Sequence, residues 1–320
     1  MLETMRHPDG SPKLVENVWS SSLGTHREEK FGQLQAGFGA GRKAPKIGPE
    51  LTFGIHMQEH HKESILIIKT SWGGKSLGID FRPPSAGIHP AFLKQQEELK
   101  KENQDPAQVI AEYQERTGHY YRLMTEHAHK VLGDIKRVYP EYDAAQGYEL
   151  AGFVWFQGCN DFGDTSTYPN AGQPGGYDEY SRLLSCMIRD LRKEFKTPKM
   201  PAVIGVLGIN GELESERFRQ IEPHHVGWLR EFRKAMAVPV GMPEFKGQVA
   251  AAETKDFGEP RLEELQGRWK HVKAKSNDLK KQDYSLARSL IVVSSVKGDS
   301  PNFPSSISRR DSRRKRPSGS

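Results

Sequence analysis

Short apolar runs recur along this chain, and polar segments with helical periodicity separate them. The runs are Ser64–Thr70 (SILIIKT), Leu150–Phe156 (LAGFVWF) and Pro201–Leu207 (PAVIGVL), all rich in β-branched or aromatic residues. Strands that are buried on both faces of a parallel sheet have this composition. The pattern therefore predicts three buried strands.

Helical periodicity is clearest at Tyr177–Phe195, where apolar side chains recur at steps of three and four residues. Residues 105–138 are predicted to form one long helix, with Asp105-Pro106 at its start. Further helices are predicted at Leu51–His60, His225–Ala237 and Arg261–Lys275. Strands that alternate with helices predict an α/β fold with parallel strands and right-handed crossovers.

The two ends of the chain lack this alternation. Residues 1–50 are polar and rich in Gly and Pro, so we expect an irregular surface segment, without an apolar strand before Gln33. Residues 284–320 contain eleven serines and little apolar sequence, which predicts disorder. The predicted organisation is an irregular segment over 1–36, a domain over 37–280 and a basic tail over 281–320.

Charge is unevenly spread along the chain. The 47 Lys and Arg residues exceed the 41 Asp and Glu residues, and a net charge of +6 suggests a nucleic-acid partner. However, residues 284–320 hold eight basic and two acidic residues, so the rest of the chain is neutral. We therefore expect no nucleic-acid partner. A mean hydropathy of -0.71 and the lack of an apolar run of about 18 residues argue against membrane insertion.

Few residues suggest a disulfide or a metal. The two cysteines, Cys159 and Cys186, cannot form a disulfide framework and neither belongs to a CxxC pair. The histidine pairs His60-His61 and His224-His225 have no further ligand at metal-binding spacing, so we expect no metal and no cofactor. The first residues do not have the pattern of a signal peptide, and the localisation stays open.

Candidate chemistry lies at two predicted strand ends, where ligands of open parallel sheets bind. The first predicted strand leads to Gly73-Gly74, and a backbone without Cβ atoms lets N–H groups approach a ligand closely. The second leads to Gln157–Asp161 (QGCND), where side-chain amides and a glycine N–H can donate to a developing oxyanion. Each signal is modest alone, and their combination is more specific.

The combined segments closely resemble the sialate O-acetylesterase-like carbohydrate esterases, a family of SGNH hydrolases. The segments are Lys69–Leu77 (KTSWGGKSL), Asp80–Gly87 (DFRPPSAG), Leu150–Asp161 (LAGFVWFQGCND) and Leu191–Gly208. This resemblance extends over about residues 37–280. It implies a three-layer α/β/α sandwich with a parallel, flavodoxin-like sheet, and serine ester hydrolysis of acetylated glycans. Many members of the family are secreted bacterial enzymes.

The resemblance also implies roles for single residues. In the family, a glycine N–H and a side-chain amide help to hold the oxyanion. Gly74 matches the glycine, and both Gln157 and Asn160 match the amide, so these two remain alternatives. The substrate-binding candidates are Trp72, Gly73 and Arg82.

The family's nucleophile and base have no counterpart that we can identify. A Gly-Gln-Ser-Asn turn after the first strand is absent, and residues 281–320 contain no histidine. Ser71, Cys159 and His89 are interpreted as structural residues rather than substitutes. Hence we expect an inactive chain whose sheet lacks the family's first strand.

Two interpretations fit this pattern. One is a truncated or frame-shifted gene product, and the other is a pseudoenzyme that still binds carbohydrate. We favour the first, because removal of a central strand leaves the backbone groups of its neighbours without hydrogen bonds.

Overall fold

The computed structural model of this chain has a mixed α/β fold. It describes residues 5–26, 28–40, 46–102, 105–209, 211, 213, 225–257, 268, 269 and 272. The chain divides into two compact units, Met1–Gly258 and Glu259–Ser320. In the second unit Arg268, Trp269 and Val272 are helical. The rest of the helix predicted at Arg261–Lys275, and the predicted tail, lie outside the described residues.

The described residues of the first unit form two three-stranded sheets. In the first sheet the strand order is β2-β1-β3, with β1 parallel to β3 and antiparallel to β2. In the second sheet the order is β4-β5-β6, and all three strands are parallel. The strands are β1 (Val18–Leu23), β2 (Lys30–Gln33), β3 (Ile65–Thr70), β4 (Phe153–Trp155), β5 (Ala202–Val206) and β6 (Val249–Glu253). The three predicted strands are confirmed as β3, β4 and β5, although β4 is shorter than its apolar run. Their expected burial on both faces is wrong for β4 and β5, where Val154 and Val203 are exposed, and β3 and β4 are edge strands among the described ones.

In the described part of the first unit, seven α-helices connect and cover these strands. They are α1 (Pro49–His60), α2 (Pro90–Lys101), α3 (Ala107–Arg116), α4 (His119–Gly133), α5 (Cys159–Phe162), α6 (Asp178–Glu194) and α7 (His225–Ala237). Three of the predicted helices, α1, α6 and α7, are confirmed. The α/β class is therefore confirmed as well.

The N-terminal segment is not irregular, contrary to our expectation. Residues 18–23 form β1, which pairs with β3 in register from Val18 with Ile65 to Leu23 with Thr70. The sequence VWSSSL hides this strand, because its three central serines interrupt the apolar pattern. All three serines are nevertheless fully buried. Backbone pairing on both sides of β1 satisfies the backbone N–H and C=O groups that burial removes from water.

The single helix predicted over 105–138 is also wrong. The chain ends α3 at Arg116 and starts α4 at His119, because Gly118 has a φ of 68°. A loop stabilises this break, since the Gly118 N–H donates to the Ile79 carbonyl and the Tyr120 N–H donates to the Asp80 carbonyl. Ile79 and Asp80 belong to the segment that follows β3, so the break fixes part of the candidate site.

The main hydrophobic core lies between α6, α7 and one face of the second sheet. It contains the predicted apolar stripe of α6, with Tyr180, Leu184, Met187 and Leu191 all buried. Trp155 of β4 and Leu77 of the loop after β3 belong to the same core. As a result, the loops that follow β3 and β4 share one set of buried neighbours.

The opposite face of the second sheet is open within the described residues. Val154, Phe156 and Val203 are 50%, 60% and 38% exposed, whereas Trp155 and Ile204 on the covered face are buried. Val154 pairs with Val203, and Val203 pairs with the exposed Ala250, so the apolar surface is continuous across three strands. Parallel sheets are usually covered on both faces. Among the described helices, none is long and apolar enough to cross a membrane.

Candidate functional site

The candidate site lies where the loops after β3 and β4 meet. The side chain of Gln157, two residues beyond β4, donates from Nε2 to the carbonyl of Lys75 at 3.0 Å. Lys75 lies five residues beyond β3 and forms an ion pair with Asp80 within the same loop. The structure therefore brings together the two motifs that the sequence placed at separate strand ends.

A buried carboxylate, Asp161, joins these loops. Its Oδ2 accepts hydrogen bonds from the Leu77 N–H at 2.8 Å and from Gln157 Nε2 at 2.6 Å. Its Oδ1 accepts from the Gly78 N–H at 2.9 Å and from the Tyr168 hydroxyl at 2.8 Å. Burial raises the pKa of Asp161 above its usual value, and these donors, which favour the ionised form, offset only part of that rise. The loop positions of Leu77 and Gly78 thus depend on one carboxylate.

The two candidate amides differ in what they contact. Both hydrogens of Gln157 Nε2 are used, by the Lys75 carbonyl and by Asp161, and its Oε1 lies 3.3 Å from the Tyr180 hydroxyl. Asn160 is exposed, and no residue in the described part of the chain forms a hydrogen bond with its side chain. This geometry favours Asn160 as the amide that can donate to a ligand.

The two candidate glycines are both accessible. Gly73 and Gly74 are exposed, and a Cβ added at either position would meet nothing within 4 Å. Gly74 has a φ of 74°, which side-chain-bearing residues rarely adopt. A backbone N–H at this position is open to a small ligand group.

Trp72 and Arg82 have packing roles in this conformation. The Trp72 ring contacts Phe81 and Tyr120, with centroids 6.0 and 5.0 Å apart, and its indole lies against Gly24. Arg82 is 3% exposed, and its guanidinium donates to the carbonyls of Gly78, Ala86, Gly87 and Ile88. Such saturation favours a structural role for Arg82 over direct contact with a substrate.

The described residues place no histidine next to a nucleophile at this edge of the sheets. The Ser71 hydroxyl lies 3.2 Å from the hydroxyl of Thr25, and Cys159 is an exposed free thiol. His89 is buried, and its Nε2 lies 3.3 Å from the Thr167 hydroxyl. The pKa of His89 is lowered, mainly by burial and also by the positive charge of Arg82. Within the described residues, no group of three His, Cys, Asp or Glu side chains could hold a metal ion.

A second polar cluster, between β1 and α4, was not predicted. The Ser21 hydroxyl donates to Glu29 at 2.7 Å and lies 3.0 Å from Nε2 of His127. Glu29 also accepts from Lys130 and Arg137. Ser21 is fully buried, so this serine and histidine are inaccessible to an ester. The sequence signal is weak, because Ser21 and His127 are 106 positions apart.

The fold and the site define an α/β protein with hydrogen-bond donors at the carboxyl edge of its strands. Residues 26–240 match the family described as carbohydrate esterase, sialic acid-specific acetylesterase. The match covers about two thirds of the sequence, and the chain belongs to this family. The predicted resemblance is thereby confirmed. No curated protein sequence matches the chain.

Two solved structures are similar to this chain over 76% of its length. One is an Arabidopsis thaliana protein, with 14% identity, a TM-score of 0.41 and 70% of its own chain covered. The other is a carbohydrate acetylesterase from Xanthomonas citri, with 15% identity and a TM-score of 0.42. This chain spans only 44% of the Xanthomonas protein.

Proposed function

We propose that this chain binds acetylated carbohydrate at the joined loops after β3 and β4. The observation that supports the proposal is the juxtaposition of an exposed glycine, Gly74, with the turn that presents Asn160. A backbone N–H and a side-chain amide are both donors to a carbonyl oxygen, and the acetyl group offers such an oxygen. Family membership supports the class of ligand.

The proposed chemistry is that of a carbohydrate O-acetylesterase by family, without turnover in this chain. Ester hydrolysis by a serine enzyme needs a nucleophile and a base within hydrogen-bond reach. Ser71 and Cys159 are near the proposed site, and neither has a histidine partner within the described residues. We therefore expect binding of the ester without its cleavage.

A direct test compares binding with turnover. The full chain should bind O-acetylated sialic acid more tightly than the deacetylated sugar in a calorimetric titration. It should hydrolyse an activated acetate ester no faster than buffer. Equal affinity for the two sugars would contradict the proposed ligand, and turnover that a serine-directed inhibitor abolishes would contradict the proposed inactivity.

The alternative is a pseudoenzyme whose function is carbohydrate binding itself. Its support is the continuous core between α6, α7 and the second sheet, which a stable binding protein requires. A pseudoenzyme should unfold in one cooperative thermal transition, and acetylated glycan should raise the midpoint. A broad, non-cooperative transition would favour the incomplete enzyme instead.

A further inference from the structure

Asp161 contacts both halves of the proposed binding site. We propose that it is a positioning residue, which holds the loop over residues 73–78 against the turn that carries Asn160. The consequence that we expect is that the Gly74 N–H and the Asn160 amide stay in place for the same acetyl oxygen. The ligand in this inference rests on the proposed function, but the positioning of the loop does not.

The hydrogen-bond donors around Asp161 select a carboxylate. Three of its four partners are N–H groups, from Leu77, Gly78 and Gln157, and an N–H can only donate. Both carboxylate oxygens are used, with two donors on each. The side-chain NH2 group of an asparagine would face two of these donors and could not accept hydrogen bonds from them. Isosteric Asp161→Asn therefore removes the required acceptor while conserving volume.

The loop also has little room to adopt another position. Leu77 and Gly78 are buried, and a Cβ at Gly78 would lie 3.1 Å from Thr167 Cγ2 and 3.5 Å from Asp161 Oδ1. Without the carboxylate, two buried backbone N–H groups would lose their acceptors, which is a costly state. We expect the loop to move so that these N–H groups reach water, and this movement displaces Gly74.

Gln157, which follows β4, adds to the hydrogen bonds that hold this loop. Its amide bridges Asp161 and the Lys75 carbonyl, so the carboxylate acts on the loop at Leu77, Gly78 and, through Gln157, at Lys75. Asp161 and Gln157 thereby fix three positions within four residues of Gly74. This assigns Gln157 to positioning and leaves the donation to Asn160.

The test compares Asp161→Asn with Asp164→Asn in the full chain. Asp164 is a matched control, because within the described residues its carboxylate accepts from Ser166 and Thr167 of its own turn and from neither Leu77 nor Gly78. Amide hydrogen exchange at Leu77 and Gly78 should become at least tenfold faster in Asp161→Asn and stay unchanged in Asp164→Asn. Exchange in β5 should stay unchanged in both variants. Rates at Leu77 and Gly78 within twofold of the wild type would overturn the proposal.

A second measurement separates positioning from general loss of structure. The wild-type preference for O-acetylated over deacetylated sialic acid should fall at least tenfold in Asp161→Asn, whereas a structural defect weakens both sugars equally. If Asp161→Asn does not fold, Tyr168→Phe removes one donor and should accelerate exchange at Gly78 about threefold. A wild-type chain that prefers neither sugar, together with fast exchange in Asp161→Asn, would contradict the proposed function and retain the positioning role.

Discussion

At the scale of single residues, neighbouring serines in β1 differ in whether their buried hydroxyls have hydrogen-bond partners. The Ser20 hydroxyl is buried and has no hydrogen-bond partner in the described structure. Ser21, one position later, contacts both Glu29 and His127. Burial of an unsatisfied hydroxyl is unfavourable, whereas removal of a satisfied one leaves its partners unpaired.

We predict that Ser20→Ala stabilises the protein by about 1 kcal/mol, because it removes a hydroxyl that loses its water without gaining a partner. Ser21→Ala should destabilise it by about 1–3 kcal/mol, because Glu29 and His127 then lose a shared partner. Urea denaturation measures both free energies of unfolding. A lower unfolding midpoint for Ser20→Ala would show that its hydroxyl has a partner after all.

The carboxylate of Glu29 makes stability depend on acidity. Burial raises its pKa, but hydrogen bonds from Arg137, Lys130 and Ser21 outweigh this and lower it to about 2. Because the folded-state pKa is below the unfolded value, the stabilisation is complete above pH 4.5 and is lost as the pH falls toward 2. The difference in unfolding free energy between wild type and Glu29→Gln, at most about 3 kcal/mol, should vanish over that range. A pH-independent difference would contradict this assignment.

At the scale of elements, the sequence predicted a strand or helix well where large apolar residues occupy its buried positions. Strands β3 and β5 are rich in Ile, Leu and Val, and α6 has a regular apolar stripe, so local pattern sufficed. Strands β1 and β6 have serine and alanine runs, and only their neighbours in the sheet make them strands. Local pattern cannot supply that information.

The candidate site, too, was predicted only in part from the sequence. The sequence predicted both strand-end segments, and the structure brings them together through Gln157 and Lys75. The sequence could not show which amide, that of Gln157 or that of Asn160, can donate to a ligand. The answer depends on whether the amide already donates to another group of the folded protein. One of the two acceptors of Gln157, the Lys75 carbonyl, lies 82 positions away. Asp161 was part of the quoted motif, but its four donors become evident only in three dimensions.

The break between α3 and α4 gives a test at the scale of elements. Gly118→Ala should destabilise the protein by about 2 kcal/mol, because its φ of 68° disfavours a side chain and a Cβ would lie 2.8 Å from the Arg82 carbonyl. The matched control is Gly133→Ala at the end of α4, where a Cβ meets nothing within 4 Å. Thermal unfolding of both variants measures the difference. Equal effects would contradict a strained position at Gly118.

At the scale of the whole molecule, the location of charge matters more than its sum. The net charge of +6 comes from residues 284–320 alone, which contain four arginines in two adjacent pairs, Arg309-Arg310 and Arg313-Arg314. Clustered cations attract a polyanion more strongly than the same number spread over a neutral body, and salt screens this attraction.

We predict that replacement of these four arginines by glutamine lowers the salt concentration at which the chain elutes from heparin. The matched control replaces four exposed lysines, Lys94, Lys100, Lys101 and Lys193, and so removes the same net charge from the body. It should leave elution nearly unchanged. Equal shifts for the two variants would mean that net charge, rather than its location, determines binding to the polyanion.

The open face of the second sheet has a practical consequence for handling this protein. Val154, Phe156 and Val203 remain in contact with water, and each fully buried side chain of this kind gains about 1.5–3 kcal/mol. Two molecules can obtain part of that gain by meeting at these faces, so the tendency to self-associate rises with concentration. Because the hydrophobic effect weakens on cooling, we expect dilute and cold solutions to keep the chain dispersed, and warming of a concentrated solution to promote its precipitation.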